Sequence, residues 1–129
     1  MNESAITIPD RALILLPNWG KLIVSGDKLI EVRRQPIKTL GRAAIASQGY
    51  LIGECAFVDC IKMTKELFEK ERLKHRIVCE YDDLPNNYKN GYMWIIKPGS
   101  AIQYNLPIKY NHPKGAIIWV RLDRPGVIS

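Results

Sequence analysis

The chain has 129 residues and a net charge of +6, with 47% hydrophobic and 25% charged residues. A chain of this length buries about two-thirds of its unfolded surface, so it supports one substantial core rather than two independent domains. The composition is that of a globular domain, and it excludes a disordered chain, a coiled coil and a collagen-like repeat.

The first elements are a strand, a short helix and a second strand. A continuous apolar run at residues 12–16, preceded by Arg11, predicts a buried strand at residues 11–16. Pro17 ends this strand, and we predict that Asn18 is the N-cap of a short helix that ends before Gly26. The next strand is predicted at residues 28–34.

The middle of the chain predicts a hairpin followed by a helix. Strands at residues 42–47 and 50–63 are separated only by Gln48-Gly49, which favours an antiparallel hairpin with a tight turn. Thr64 is the predicted N-cap of a medium-length charged helix that extends to about residue 74.

The remaining segments are a loop at residues 82–91, a strand at 92–96, a polar connection and a last strand at 116–122. Regular crossover helices between the strands are missing, which disfavours a doubly wound sheet. We therefore predict the α+β class, mainly β: a small mixed β-barrel of five to seven strands with one short and one medium helix.

We expect one domain in this chain, with short flanking segments at its two ends. The predicted boundaries are an N-terminal arm at residues 1–10, the domain at 11–124 and a C-terminal tail at 125–129.

Positive charge is concentrated in two segments. Residues 28–42 and residues 97–129 each carry five basic side chains against one acidic side chain, which is +4 in each segment. If the fold brings the two segments together, they form a basic face suited to a polyanion. If it does not, these charges belong to solvated strands and loops.

The most distinctive motif runs from Gly26 to Arg33 and has the form G-x-K-x-x-E-x-R. Glu31 and Arg33 are two residues apart and therefore project from the same face of a strand, while Lys28 lies on the connection before them. Such a cluster suits a phosphate, the edge of a nucleobase or a polar small molecule. The same pattern is also typical of an ion-pair ladder on a protein surface.

The order of these landmarks resembles an ASCH domain, a branch of the PUA-like superfamily. The resemblance covers about residues 11–122 and includes the complete motif of residues 26–33, the Gly53-Glu54-Cys55 strand and closing strands at 92–95 and 115–119. It implies a small PUA-like β-barrel with a cleft beside the first helix. It also implies that the chain binds RNA or a nucleotide.

The resemblance implies that Lys28, Glu31 and Arg33 contact the ligand. Cations of the adjacent basic segment would contact phosphates, and an exposed tyrosine would stack on a base. The further candidate ligand-binding residues are therefore Arg34, Arg42, Ser47 and Tyr50.

Some ASCH proteins are hydrolases that act on the N4-acyl amide of acetylated cytidine, and they use a lysine, a threonine three residues later and a glutamate on a later strand. The resemblance maps this set onto Lys28, Glu31 and Glu54, so a carboxylate replaces the hydroxyl. A carboxylate beside Lys28 holds the amine charged, which favours binding over catalysis. Our first hypothesis is therefore a binding module; a hydrolase or ribonuclease and a protein-interaction module are the alternatives.

The cysteines and the lengths of the apolar runs indicate the cellular compartment of the protein. Cys55, Cys60 and Cys79 are an odd number without C-x-x-C spacing, which indicates reduced thiols in a cytoplasmic protein. No apolar run reaches the roughly 18 residues that a membrane span needs, and the N-terminus does not resemble a signal peptide. His75 and His112 add no ligand spacing, so we expect neither a metal nor another cofactor.

Overall fold

The computed structural model describes residues 7–128, so the first six residues of the predicted N-terminal arm lie outside the described part. Within this range, seven strands form one sheet. They are β1 (Arg11–Ile14), β2 (Ile30–Arg33), β3 (Gly41–Ser47), β4 (Tyr50–Lys62), β5 (Tyr92–Ile96), β6 (Ile102–Lys109) and β7 (Trp119–Arg121).

The strand order is β2-β5-β4-β3-β1-β7, and β6 pairs with the first part of β4. The β1–β3 pair is parallel and the others are antiparallel, so the sheet is mixed and the predicted mainly β, α+β class is confirmed. In the described residues no backbone pairing joins β2 to β7, the two ends of this path. The closed barrel that we expected is therefore not confirmed.

The predicted hairpin is present. β3 and β4 pair antiparallel, with Ser47 opposite Tyr50. Gln48 and Gly49 between them have φ angles of 52° and 85°. Two positive φ values are the pattern of a type I′ turn, whose twist matches that of the two strands.

The helices differ from the prediction. They are α1 (Pro17–Val24), α2 (Lys65–Lys70), α3 (Arg72–His75) and α4 (Asn86–Lys89), with a 3-10 helix at Tyr81–Asp83. The N-cap of α1 is Leu16 and not Asn18, because Pro17 occupies the first helical position, where no N–H donor is needed. Thr64 does cap α2, since its hydroxyl accepts a hydrogen bond from the Leu67 amide at 3.1 Å.

The prediction of one medium-length helix is wrong, because the helix is interrupted at Glu71, between α2 and α3. The break directs α3 towards β2, where the carbonyl oxygen of Lys74 accepts a hydrogen bond from the Leu29 amide at 2.8 Å. The predicted helix is therefore present as two short helices, and the second one is held against the start of β2.

Strand β6 was predicted as a polar connection. Its side chains are mostly exposed, so it lacks the apolar alternation by which strands are identified. It forms because β4 is 13 residues long and offers a free edge at its start. The last strand is shorter than predicted and covers only Trp119–Arg121.

Three apolar clusters fill the domain. α1 packs through Ile23 onto the sheet face that carries Leu13, Ile45 and Phe57. The opposite face of β3 carries Ala44 and Ala46, which pack with a second cluster that includes Val120 and Val127. The third cluster lies under α2 and includes Ile30, Phe68 and Met93. In residues 7–128 no helix is long and apolar enough to cross a membrane.

Candidate functional site

A cleft of about 460 Å³ opens between the β1–α1 connection, strand β2 and the segment that carries the 3-10 helix and α4. Its walls are largely apolar and include the aromatic side chains of Trp19 and Tyr88. Three charged residues of the motif, Lys28, Glu31 and Arg33, line the same cleft. The structure therefore brings these three predicted residues together in one concave and partly open place.

Glu31 is the centre of this charged group. Its Oε2 accepts a hydrogen bond from Arg33 Nε at 2.7 Å, and its Oε1 lies 3.6 Å from Lys28 Nζ. The side chains of Lys28 and Glu31 are 2% and 8% exposed, whereas that of Arg33 is 17% exposed. Arg33 is thus the cation of this group with the most access to solvent.

Lys28 is enclosed on several sides. Its Nζ donates a hydrogen bond to the carbonyl oxygen of His75 and lies 4.6 Å from the ring centroid of Trp19. Burial lowers the pKa of the Lys28 ammonium, and the attraction of Glu31 opposes this shift. The fully buried His75 therefore positions Lys28 through its backbone.

Arg33 extends from β2 across the seam of the open sheet. Its Nη2 donates to the carbonyl oxygen of Ile14 on β1 at 3.3 Å, and its guanidinium lies 5.6 Å from the ring centroid of Trp94. Since no strand pairing joins β2 to β1 in the described residues, the cleft occupies the place where the sheet stays open.

Glu54 lies elsewhere, with its own partners. Arg42 holds it through two hydrogen bonds of 2.9 and 3.0 Å, and the hydroxyl of Tyr104 donates to it at 2.9 Å. Burial and this hydrogen bond raise the pKa of Tyr104. Glu54 does not line the cleft that contains Lys28.

Arg42 lines a shallow groove of about 590 Å³ together with Arg11 and Arg121. Arg42 from the first basic segment and Arg121 from the second thus lie in the same groove. Glu54 pairs with Arg42, and Asp123 pairs with Arg121 at 2.8 Å, so two of the three cations are neutralised.

The other candidates lie outside the cleft. Arg34 is exposed just after β2 and does not line the cleft. Ser47, which is buried, and Tyr50, which is exposed, flank the β3–β4 turn and line a third groove. The predicted ligand-binding set therefore falls into separate places rather than one.

Sequence reasoning missed the walls of the cleft. Leu84, Pro85 and Tyr88 come from a segment predicted as a plain loop, more than 50 residues after the motif. Of the aromatic wall residues, only Trp19 could be predicted to lie near the cleft, because it is on the helix that precedes the motif. In the described residues, no three His, Cys, Asp or Glu side chains are grouped as metal ligands.

Comparisons with known proteins agree with this architecture. The family model of the ASCH domain matches residues 13–113. A crystal structure of ASCH from Zymomonas mobilis superposes with a TM-score of 0.59 at 19% identity, covering 72% of this chain and 68% of that chain. No curated protein sequence matches significantly.

Two mutants of the same Zymomonas mobilis protein are also similar. A tyrosine-to-phenylalanine mutant gives a TM-score of 0.60 at 20% identity, with 77% of this chain and 74% of that chain covered. A serine-to-alanine mutant gives 0.65 at 19% identity, with 91% and 92% covered. At this identity the likeness shows the fold alone, whereas the match over residues 13–113 shows the family: the chain belongs to the ASCH domain family.

Proposed function

We propose that this chain is a binding module for RNA, or for a nucleotide, that takes one base and its phosphate into the cleft beside α1. The observation that carries the proposal is the convergence of Lys28, Glu31 and Arg33 in an otherwise largely apolar cleft. Two cations face one carboxylate there, so the cleft keeps a net charge of +1 for an anionic group.

Each part of a nucleotide has a matching group. The carboxylate of Glu31 accepts a hydrogen bond from a base amino group, and the guanidinium of Arg33 donates to a phosphate or to a base acceptor. Trp19 and Tyr88 supply the aromatic walls that unstacked bases favour. Arg34, exposed next to the cleft residue Arg33, suits a neighbouring phosphate.

The test is a titration of fluorescein-labelled single-stranded RNA at several salt concentrations, followed by fluorescence anisotropy. We expect Arg33→Gln to weaken binding about tenfold and to reduce the slope of log K against log salt by about one, because one phosphate contact is lost. Lys70→Gln, at an exposed lysine of α2 outside both basic segments, is the control and should leave both quantities unchanged. Superimposable curves for wild type and Arg33→Gln would reject the cleft.

One observation favours a hydrolase as the second candidate. Burial lowers the pKa of Lys28, which increases the fraction of neutral, nucleophilic amine. Incubation with N4-acetylcytidine and chromatography of the products tests it. Release of acetate that Lys28→Met abolishes would support the enzyme, and intact substrate after long incubation would remove it.

We also propose a cytoplasmic location. All three cysteines are free, and Cys79 is exposed. Burial raises the pKa of the Cys55 thiol to about 12, so this cysteine is unreactive at neutral pH. A reducing compartment suits this set of unpaired thiols.

A further inference from the structure

The groove beside the β3–β4 turn, called the hairpin groove from this point, lies against another part of α1. It has a volume of about 540 Å³ and is bounded by α1, the β3–β4 hairpin and strand β6. Pro17, Lys21 and Val24 of α1 line it, whereas Trp19 of the same helix lines the cleft. One short helix therefore contributes to both concave sites.

The other lining groups are suited to a nucleobase. Gln103 and Asn105 bring side-chain amides, which donate and accept at once and match the edges of bases. Tyr50 is 43% exposed and offers a ring face for stacking. Lys21 is the one charged residue that lines the groove in the described part of the chain, and it suits one phosphate.

The groove is held in shape before any ligand arrives. The tight turn at Gln48 and Gly49 fixes Ser47 opposite Tyr50. At Gly53, a Cβ atom would lie 2.2 Å from the carbonyl oxygen of Ile102 and 2.6 Å from a methyl carbon of Val24, so α1 and β6 approach β4 closely. A preorganised groove loses little conformational entropy when it binds.

We propose that the hairpin groove binds a second nucleobase of the same RNA strand whose first base enters the cleft, an inference that rests on the proposed function. The strand passes over α1, which is about 12 Å long at 1.5 Å per residue. Lys21 contacts a phosphate of this strand, and Gln103, Asn105 and Tyr50 contact the second base.

The experiment compares two labelled probes, a fluorescein-labelled single nucleotide and a random-sequence RNA of eight nucleotides. We expect Gln103→Ala and Asn105→Ala each to weaken binding of the longer RNA about three- to tenfold, the scale of one hydrogen bond, and to leave binding of the single nucleotide unchanged. Lys21→Ala should weaken the longer RNA, whereas Lys70→Ala, an exposed lysine of α2, is the control without effect.

Gln103→Ala also gives a readout that separates binding from folding. Because the Gln103 side chain is exposed, its removal should not lower the melting temperature of the free protein. If Arg33→Gln weakens the longer RNA but the hairpin-groove variants do not, the hairpin groove is rejected and the cleft stands. If only the hairpin-groove variants weaken it, the cleft is rejected as the first site, and an absence of RNA binding by wild type rejects both.

Discussion

Glu31 compensates two cations at once, Lys28 at 3.6 Å and Arg33 at 2.7 Å, in a place where water has little access. Arg33 retains solvent contact and a backbone acceptor, so it tolerates the loss of the carboxylate. Lys28 is nearly fully buried, and its carbonyl partner on His75 does not neutralise its charge.

We therefore predict that Glu31→Gln lowers the free energy of unfolding by about 3 kcal/mol at neutral pH, because it leaves a buried ammonium without its counter-ion. Urea denaturation measures the loss. Glu80→Gln is the control: this glutamate pairs with Arg72 at the surface and its side chain is 72% exposed, so its removal should change the stability little.

The double variant Lys28→Met/Glu31→Gln removes both charges and should recover much of the lost stability. If Glu31→Gln is as stable as Glu80→Gln, the buried ion pair does not stabilise the folded protein.

At the scale of elements, α3 depends on a neutral histidine. Nδ1 of His75 accepts a hydrogen bond from the Ile77 amide at 2.9 Å, and Nε2 donates to the Phe68 carbonyl oxygen at 2.7 Å. A protonated ring has no lone pair for the Ile77 amide. Burial lowers the pKa of His75 and outweighs the hydrogen bond to the Phe68 carbonyl, which raises it, while the charges of Lys28 and Arg72 lower it further.

Because the pKa of His75 is lower in the folded state than in the unfolded state, the unfolded chain binds more protons as the pH falls. The contribution of neutral His75 to the free energy of unfolding should therefore be complete above pH 6.5, the ordinary pKa of histidine. It should decrease as the pH drops below this value. Urea midpoints on both sides of this pH measure the decrease.

His75→Gln should flatten this pH dependence, whereas His112→Gln, at an exposed histidine, should leave it as in wild type. An NMR titration in which the ring of His75 protonates at the ordinary pKa in the folded protein would contradict the argument.

At the scale of the whole molecule, side chains connect β2 and β5 at one side of the sheet with β1 and β7 at the other side, between which no direct backbone pairing is present in the described residues. Trp94 on β5 stacks on Trp119 on β7, with ring centroids 5.8 Å apart and planes at 10°. The guanidinium of Arg11 lies 4.7 Å from the centroid of the Trp119 ring. Arg33 of β2 donates a hydrogen bond to the carbonyl oxygen of Ile14 on β1. The sheet is thus curled, and the cleft lies in its seam.

Trp119→Ala should lower the free energy of unfolding by about 3 kcal/mol, since it removes a large aromatic contact between distant strands. Chemical denaturation followed by tryptophan fluorescence measures it. Ile117→Ala, at a neighbouring side chain that is 80% exposed, should change stability by less than about 0.5 kcal/mol. Equal effects of the two substitutions would contradict the bridging role of the tryptophan pair.

Local sequence patterns were sufficient for much of the fold. The hairpin between β3 and β4, the cap at Thr64 and the strand that carries Glu31 and Arg33 follow from turn residues, capping residues and alternation, which act over a few neighbouring positions. The order of such landmarks was also enough to indicate the ASCH family, which the match over residues 13–113 shows.

Only the tertiary structure decided how the candidate residues are distributed. Glu54 was grouped with Lys28, but it packs against Arg42 and Tyr104 on another part of the sheet. Strand β6 gave no local signal, because its exposed side chains do not alternate and its existence depends on the free edge of β4.

The motif, its strand face and the mainly β class can be read from the order of the residues, because periodicity and capping are properties of neighbouring residues. Three features follow only from the folded chain: the sheet is open beside β2, His75 lies against Lys28, and Ser47 lines a groove apart from the cleft. These features depend on contacts between residues far apart in the chain, and no pattern of neighbouring residues encodes them.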